Sequence, residues 1–429
     1  MPRTRILLLS LALLASGGMA GAEDPGLPPA AGVAVASDNV DYVMSFPDIG
    51  AIGAKILGDT LYATTVGGVR LYDIGLTGLP ILVGELNLPH WENEDVDTNG
   101  KYLFVAADHF VGVRNTLYVV DVQIRSAPLL VAAIDVPMAH TVTCVLGCKY
   151  LWLGGGGQIG VVDARNPLNP RFLGTTDSGV GSVHDVQIDD KGVAWVSGAR
   201  GLSAFVPRLT APLNPQWLVD SWKFNNNFII HNSLRPKAKD WKKAASWSAP
   251  ITDAEMTYVT EEDYLAIDRE YGGNGQCKYD GSFQTAYYRQ VGSGRILRPM
   301  DAWNLGQGTS GTLDGSKKGD VAAFCSSHYF DVSSRVASVA WYEQGVRFLS
   351  VSKPYDIRQV GYWRPLDSMA WAAKNVGEYV FVFDLVRGLD VIRFNGSANG
   401  PTVKAALNPR MVADKSEEWG WLCRIPVVA

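Results

Sequence analysis

Basic runs are scarce in this sequence. Lys and Arg total 38 against 43 Asp and Glu, the formal net charge is -5, and the one short cluster of lysines lies between Lys237 and Lys243. Without a basic stripe to neutralise phosphates, nucleic acid is excluded as the expected partner. Long apolar runs are equally scarce. Apart from Ile6–Ala15, itself too short for a stable bilayer span, no stretch reaches the roughly 18 residues of a transmembrane helix. The local signatures of several enzyme classes are missing. There is no G-x-S-x-G elbow and no H-E-x-x-H pair, and Ser326-Ser327-His328 has no elbow context. Gly154–Gly157 lacks the Lys-Ser/Thr and helix of a phosphate loop and reads as a tight turn.

The N-terminus carries three features of an export signal: Arg3 and Arg5, the apolar Ile6–Ala15, and the A-x-A site Ala20-Gly21-Ala22. Their order predicts cleavage before Glu23 and a secreted, periplasmic or cell-surface protein. No cysteine follows the apolar stretch to accept a lipid anchor. Five cysteines in an exported chain predict disulfides. Cys144 and Cys148 flank Val145-Leu146-Gly147 on the two arms of one hairpin, so they form the first expected pair. Cys277 and Cys325 form the second, which leaves Cys423 odd.

Glycine (45), tyrosine (17) and tryptophan (13) are plentiful, as in all-β proteins rich in turns and aromatic strands. One pattern recurs about every 42 to 48 residues, centred on Leu71-Tyr72-Asp73-Ile74, Val119-Val120-Asp121-Val122 and Val161-Val162-Asp163-Ala164. Weaker copies are Ala204–Pro207, Phe348–Val351 and Val391–Phe394. Each copy divides into four short strands. In the third these are His140–Cys144, Lys149–Leu153, Ile159–Asp163 and Arg171–Thr175, separated by turn residues. Pro80, Pro128 and Pro170 stand at one fixed distance after the repeat aspartate, where proline presets the turn into an outer edge strand.

The gap from Val206 to Ser350 holds an enlarged fifth blade, about residues 222–305, with strands Phe228–Asn232, Met256–Glu261, Ser282–Arg289 and Ile296–Trp303. The fold expected is an all-β, seven-bladed β-propeller over residues 40–396. An eighth blade hidden in the insertion is the alternative count. Val40–Pro47 supplies the missing fourth strand of the last blade and closes the ring against Val391–Phe394. Residues 1–22 are the signal peptide, 23–39 a linker and 397–429 a C-terminal tail.

The segments LYVVDV and IGVVDARNPLNPRFLG resemble the LVIVD repeats of secreted bacterial propellers. So do HNSLRP (from His231), YVTEEDY (from Tyr258), GSFQTAYY (from Gly281), CSSHYFD (from Cys325) and the blocks starting at Trp341 and Tyr379. The similarity runs from about Ile49 to Phe394. It implies a propeller and export; it implies no established reaction and no catalytic residues.

The histidines are few, six in all, and four share one register. His140, His184 and His328 each lie about 22 or 23 residues ahead of a repeat centre, at the start of an innermost strand, and His231 opens the inner strand of the enlarged blade. The equivalent positions elsewhere are Glu92 or Glu94 in the second blade, Met369–Trp371 in the seventh and the vicinity of Gly50 in the first, an arc open on one side. Imidazoles converging with a carboxylate suit a divalent transition metal. Asp331 is placed to orient His328. The acidic stretches Thr260–Asp263 and Trp91–Asp95 read as solvated loop acids, the alternative being that they supply a carboxylate to the channel or bind a cation. The leading functional reading is an exported binding or scaffolding module for a protein, glycan or small-molecule ligand, with a metal or small ligand at a histidine-lined channel mouth. The alternative is a metal-dependent enzyme, an oxidase or a lactonase-like hydrolase, using the histidine arc.

Overall fold

The computed structural model describes residues 35–47, 50–88, 94–108, 114–219, 229–240, 242–246, 248–262, 277–311 and 324–409. The expected signal peptide, most of the linker, Glu92, Asp263 and Cys423 lie outside the described residues. Among the described residues, twenty-eight strands form seven antiparallel four-stranded sheets. Blade 1 holds β2 (Ala51–Leu57), β3 (Thr60–Thr65), β4 (Gly68–Asp73) and β5 (Ile81–Asn87). Blade 2 holds β6 (Val96–Thr98), β7 (Tyr102–Ala107), β8 (Asn115–Asp121) and β9 (Leu129–Val136). Blade 3 holds β10 (Val142–Val145), β11 (Tyr150–Leu153), β12 (Ile159–Asp163) and β13 (Arg171–Thr176). Blade 4 holds β14 (Val183–Ile188), β15 (Ala194–Gly198), β16 (Gly201–Val206) and β17 (Gln216–Val219). Blade 5 holds β18 (Ile229–Leu234), β19 (Met256–Glu262), β20 (Ser282–Val291) and β21 (Gly294–Trp303). Blade 6 holds β22 (Phe330–Ser333), β23 (Val336–Ala340), β24 (Val346–Ser350) and β25 (Arg358–Trp363). Blade 7 holds β26 (Ala370–Val376), β27 (Tyr379–Asp384) and β28 (Gly388–Phe394), and its fourth strand is β1 (Val40–Phe46).

The architecture is therefore a seven-bladed β-propeller, as the repeats predict. The insertion forms one enlarged blade whose last two strands run ten residues each. Pro80, Pro128 and Pro170 stand directly before the outer strands β5, β9 and β13, where a missing N–H breaks no central ladder bond.

Each blade is a sheet buried on both faces, and this is why its middle strands read as continuous apolar runs. Leu103–Ala107 and Leu117 are almost completely buried, as are Val119 and Val120. Aromatic pairs join successive blades. Trp152 meets Phe205 edge-on at 6.3 Å, Trp195 meets Tyr288 at 5.2 Å, and Trp303 meets Trp341 at 5.4 Å. Such pairs add about 0.5–1.5 kcal/mol each beyond the area they bury.

Ring closure uses the antiparallel register Val40↔Phe394, Tyr42↔Ile392 and Met44↔Val391, with a bulge between Tyr42 and Met44. Tyr42 stacks on Trp363 of blade 6 and Phe46 packs against Tyr72 of blade 1, so the closing strand touches both neighbouring blades. The linker and tail residues are more involved than expected. Arg364 N–H donates to the Val35 carbonyl and Ser37 N–H to the Tyr362 carbonyl, covering the outer edge of blade 6. In the tail, Leu407 is buried in the core between blades 5 and 6, and the Asn408 side chain donates to the carbonyls of Glu343 and Pro365.

Both expected disulfides are present, Cys144–Cys148 and Cys277–Cys325. Among the described residues no helix is long and apolar enough to cross a membrane.

Two stability measurements test this arrangement. A chain lacking residues up to Pro47 leaves β28 without its outer partner, and its melting temperature is expected to fall by on the order of 10 °C or more. Unchanged melting would show that β1 does not close the ring. The disulfides span very different separations, 4 and 48 residues. Chain entropy then assigns about 2 kcal/mol to Cys144–Cys148 and about 4 kcal/mol to Cys277–Cys325. Denaturant unfolding of the two Cys→Ser double variants is expected to rank them in that order.

Candidate metal centre

The inner strand of each blade faces the ring axis and contacts the inner strands beside it: β6 touches β2 and β10, and β14 touches β10 and β18. A regular strand would alternate its side chains, so one residue alone does not turn toward the axis without a break. The breaks are β-bulges. Ladder register shifts between Val183 and Asp185, between Ile230 and Asn232, and between Ala370 and Ala372. The extra residues are His184, His231 and Trp371, one in each of three blades. A bulge re-aims a side chain in this way. His140 and His328 reach the same level two residues ahead of β10 and β22.

Close backbone approach completes the placement. A Cβ on Gly53 would lie 2.1 Å from the Glu94 carbonyl oxygen. Gly155, at φ +98°, backs directly onto His140, where a Cβ would lie 2.6 Å from that of the histidine. The Gly154–Gly157 run is thus a tight turn, as expected, and its place in the fold is to let His140 and His184 approach.

The four imidazoles surround one carboxylate. Glu94 Oε2 lies 3.2 Å from His140 Nε2, 3.2 Å from His184 Nε2 and 3.5 Å from His231 Nε2, and Glu94 Oε1 lies 3.3 Å from His328 Nε2. His140 and His184 approach to 3.1 Å between their Nε2 atoms. All four histidines are fully buried and Glu94 is 1% exposed. Two rings are locked from behind. His140 donates Nδ1–H to Asp108 Oδ2 at 2.7 Å, and His328 donates Nδ1–H to the Trp371 carbonyl. Each therefore directs Nε2 at Glu94. The Trp371 indole N–H donates to Glu94 Oε1 at 3.2 Å. Two donors bound to one ion at 2.0–2.1 Å are separated by roughly 3.0–3.4 Å. The spacings in this cluster fit a transition metal ion, and the donor set of neutral nitrogens and a carboxylate fits it chemically.

Electrostatics divides the four imidazoles. Burial opposes charge on Glu94, but His140, His328 and His184 outweigh it and hold its carboxyl well below the usual range. Burial likewise opposes charge on His140, yet Glu94 and Asp108 lift it well above the ordinary histidine value. Burial and the adjacent His231 push His184 well below that value. Burial and His328 push His231 down to about 3.

Among the expected site residues, His140, His184, His231, His328 and Glu94 come together; Glu92 lies outside the described residues. The four histidines form an arc over four successive blades, with Glu94 of blade 2 against all four and the Trp371 indole of blade 7 bonded to it. Asp331 does not orient His328. Its carboxylate accepts from the N–H groups of Val332 and Asn375 and ties blade 6 to blade 7. The acids read as solvated loops need the same correction. Glu94, Glu261 and Glu262 are all buried, because their segments run in the wall of the ring. Glu262 carries a ligand atom within 4.8 Å of His184 and His231, and it accepts from the Tyr342 hydroxyl. Tyr342 is buried at φ +41°, a left-handed conformation costly for a non-glycine residue. It is held there by paired backbone bonds with Ala370, at 3.1 and 3.0 Å. Sequence reasoning missed Asp108 and Tyr342, whereas the ligand role open to Glu262 is the alternative reading of its acidic stretch. Neither Asp108 nor Tyr342 shares the histidine register, and nothing in the sequence marked them.

No protein-family model matches the chain, and no curated protein matches it. Solved structures match it in fold. Hydrazine synthase of Kuenenia stuttgartiensis aligns with a TM-score of 0.52 and 12% identity over 81% of this chain and 96% of that one. The WD40 repeats of RRP9 align at 0.52 and 9%, over 84% and 99%. The WD40 β-propeller domain of Doa1 aligns at 0.50 and 8%, over 83% and 97%. At these identities the likeness is one of fold. The class defined by fold and site is a seven-bladed β-propeller with a buried histidine–carboxylate cluster on its axis.

The proton affinities predict a pH effect on protein treated with a chelator. His184 and His231 have folded-state values below the unfolded value near 6.5, so the unfolded chain binds more protons once the pH drops below that point. His140, raised, contributes stability that is complete below 6.5 and lost at higher pH, while the contribution of Glu94 is lost only in stronger acid. Between pH 6.5 and 5 the two lowered histidines reduce stability as the pH falls, while Asp185, raised by burial to about 6, and Asp95, raised by burial, take up protons in the folded state and oppose that loss. Compared with wild type, a His184→Asn, His231→Asn variant is expected to lose less stability, or gain more, between pH 6.5 and pH 5, read by urea unfolding at the two pH values.

Proposed function

We infer that the chain is an exported binding propeller of the LVIVD kind whose function centres on a divalent transition metal held at the mouth of the ring by His140, His184, His231, His328 and Glu94. The observation that carries this reading is the convergence of four buried Nε2 atoms on one carboxylate, with contacts of 3.2 to 3.5 Å. Without a cation such a cluster is costly. It takes five polar groups out of water, and His231 Nδ1 makes no hydrogen bond among the described residues. A metal bound by the Nε2 atoms offsets that desolvation. The hydrogen bonds behind His140 and His328 orient those rings for ligation and raise their basicity. Export is supported by the N-terminal signal pattern and by two disulfides, which persist in oxidising compartments. The LVIVD assignment rests on the repeat blocks alone.

A second reading, metal-dependent catalysis, is favoured by one feature. The Tyr342 hydroxyl and Glu262 carboxylate form a proton-bearing pair beside His184 and His231. A metal ion there supplies Lewis acidity or an activated water. Glu262 and Tyr342 would hold or pass a proton at the adjacent oxygen atoms, and the buried aromatic rings of Tyr342 and Trp371 would keep bulk water out.

Elemental analysis of the purified protein tests the metal reading. Wild type is expected to retain at least one equivalent of transition metal per chain through gel filtration at neutral pH and to release it near pH 4, as protons compete for the imidazoles. The His184→Ala, His328→Ala double variant is expected to retain less than a tenth of it. Equal metal content in folded wild type and variant would leave the cluster as blade packing.

A further inference from the structure

The donor residues outnumber the needs of one tetrahedral ion. Four histidines and two glutamates, Glu94 and Glu262, offer ligand atoms in one buried cluster. Their grouping is not random. One set of mutually close ligand atoms is Glu94, His140 and His184; another is Glu94, His231 and His328. The two sets share Glu94 and nothing else. Its Oε2 lies 3.2 Å from His140 and His184 and 3.5 Å from His231, and its Oε1 3.3 Å from His328, so both oxygens face ligand nitrogens. The third set is His184, His231 and Glu262, which takes one histidine from each of the first two.

We propose that the cluster is a dinuclear metal centre, with His140 and His184 on one ion, His231 and His328 on the other, Glu94 bridging the pair and Glu262 bridging it from a second side. The proposal deepens the metal reading above and rests on it. Two divalent ions about 3.5–4 Å apart repel strongly and are stable only where anions lie between them. Both carboxylates stand at that place. Asp108 adds negative charge behind the cluster, accepting from His140 Nδ1–H at 2.7 Å. The remaining coordination positions fall to water or substrate oxygen. Paired ions of this kind clamp a substrate with two adjacent oxygens, such as a carboxylate or a phosphate ester.

The blade geometry sets the order of the ligands along the arc. Consecutive rings stand at centroid distances of 4.7 Å (His140–His184), 3.9 Å (His184–His231) and 3.8 Å (His231–His328). The four histidines come from four successive blades, so the row is an arc around Glu94 and not a cage. Its first and last members contact different oxygens of the same carboxylate.

The test is the stoichiometry of the full exported chain, stripped with a chelator and reconstituted separately with Zn(II) and Mn(II). Plasma mass spectrometry is expected to find two ions per chain at saturation, and the Mn(II) form to give the broadened spin-resonance signal of a coupled pair. His140→Ala and His328→Ala lie at opposite ends of the arc. Each is expected to lower the content to about one ion per chain, with unchanged circular dichroism showing that the propeller remains folded. Wild-type saturation at one ion per chain, with the isolated six-line Mn(II) signal, would overturn the dinuclear centre and leave the single-metal reading standing. No bound ion in wild type would overturn both.

Discussion

A blade of four antiparallel strands is apolar on both faces and cannot be stable alone, so everything here depends on each blade having a neighbour on either side. Seven blades in an open row would leave two bare faces and unpaired strand edges. Antiparallel pairing of β1 with β28 removes that problem by building the last blade from both ends of the described chain. The contacts of Tyr42 and Phe46 with blades 6 and 1 set the final junctions. The edge of blade 6 is covered by Val35–Ser37, and residues of the tail enter the seam between blades 5 and 6. The ring is held together by chain segments far apart in sequence, which is where its cooperativity arises.

Closure also creates the functional interior. Seven inner strands brought around one axis place equivalent residues of neighbouring blades nearer to one another than any other positions. A regular strand would still divide its side chains between axis and blade face. The bulges at His184, His231 and Trp371 concentrate polar and aromatic groups at a single level. This arrangement has an energetic cost, because imidazoles and carboxylates are buried where hydrocarbon would be more stable. Glu94 is the group that makes the burial tolerable: it is the common neighbour of all four histidines, and it receives the Trp371 indole N–H as well. The strained backbone of Tyr342 is another local cost. It delivers a hydroxyl to Glu262 from a loop between strands. Local costs of this kind cluster at functional sites.

Much of this was legible in the sequence. Repeat period, turn residues and apolar strand middles determine a seven-bladed propeller, because each depends on local geometry and on burial that is the same in every blade. The closing strand was visible as a fourth strand missing at one end and present at the other. Both disulfides were recoverable, the first from hairpin spacing. The histidine register pointed to convergence, since equal offsets from a repeat centre become equal heights around a ring. Tertiary structure alone decided the rest. A bulge is a one-residue change of register that leaves no reliable mark in composition, so which side chain turns to the axis was hidden. Glu94, Glu261 and Glu262 read as solvated acids because burial depends on what surrounds a segment, not on its own residues. Asp108, Trp371 and Tyr342 act on the cluster from other blades and other loops, and Asp331 faces blade 7 instead of the histidine three residues before it. Their roles follow from distances across the ring, which come into being only when the ring closes.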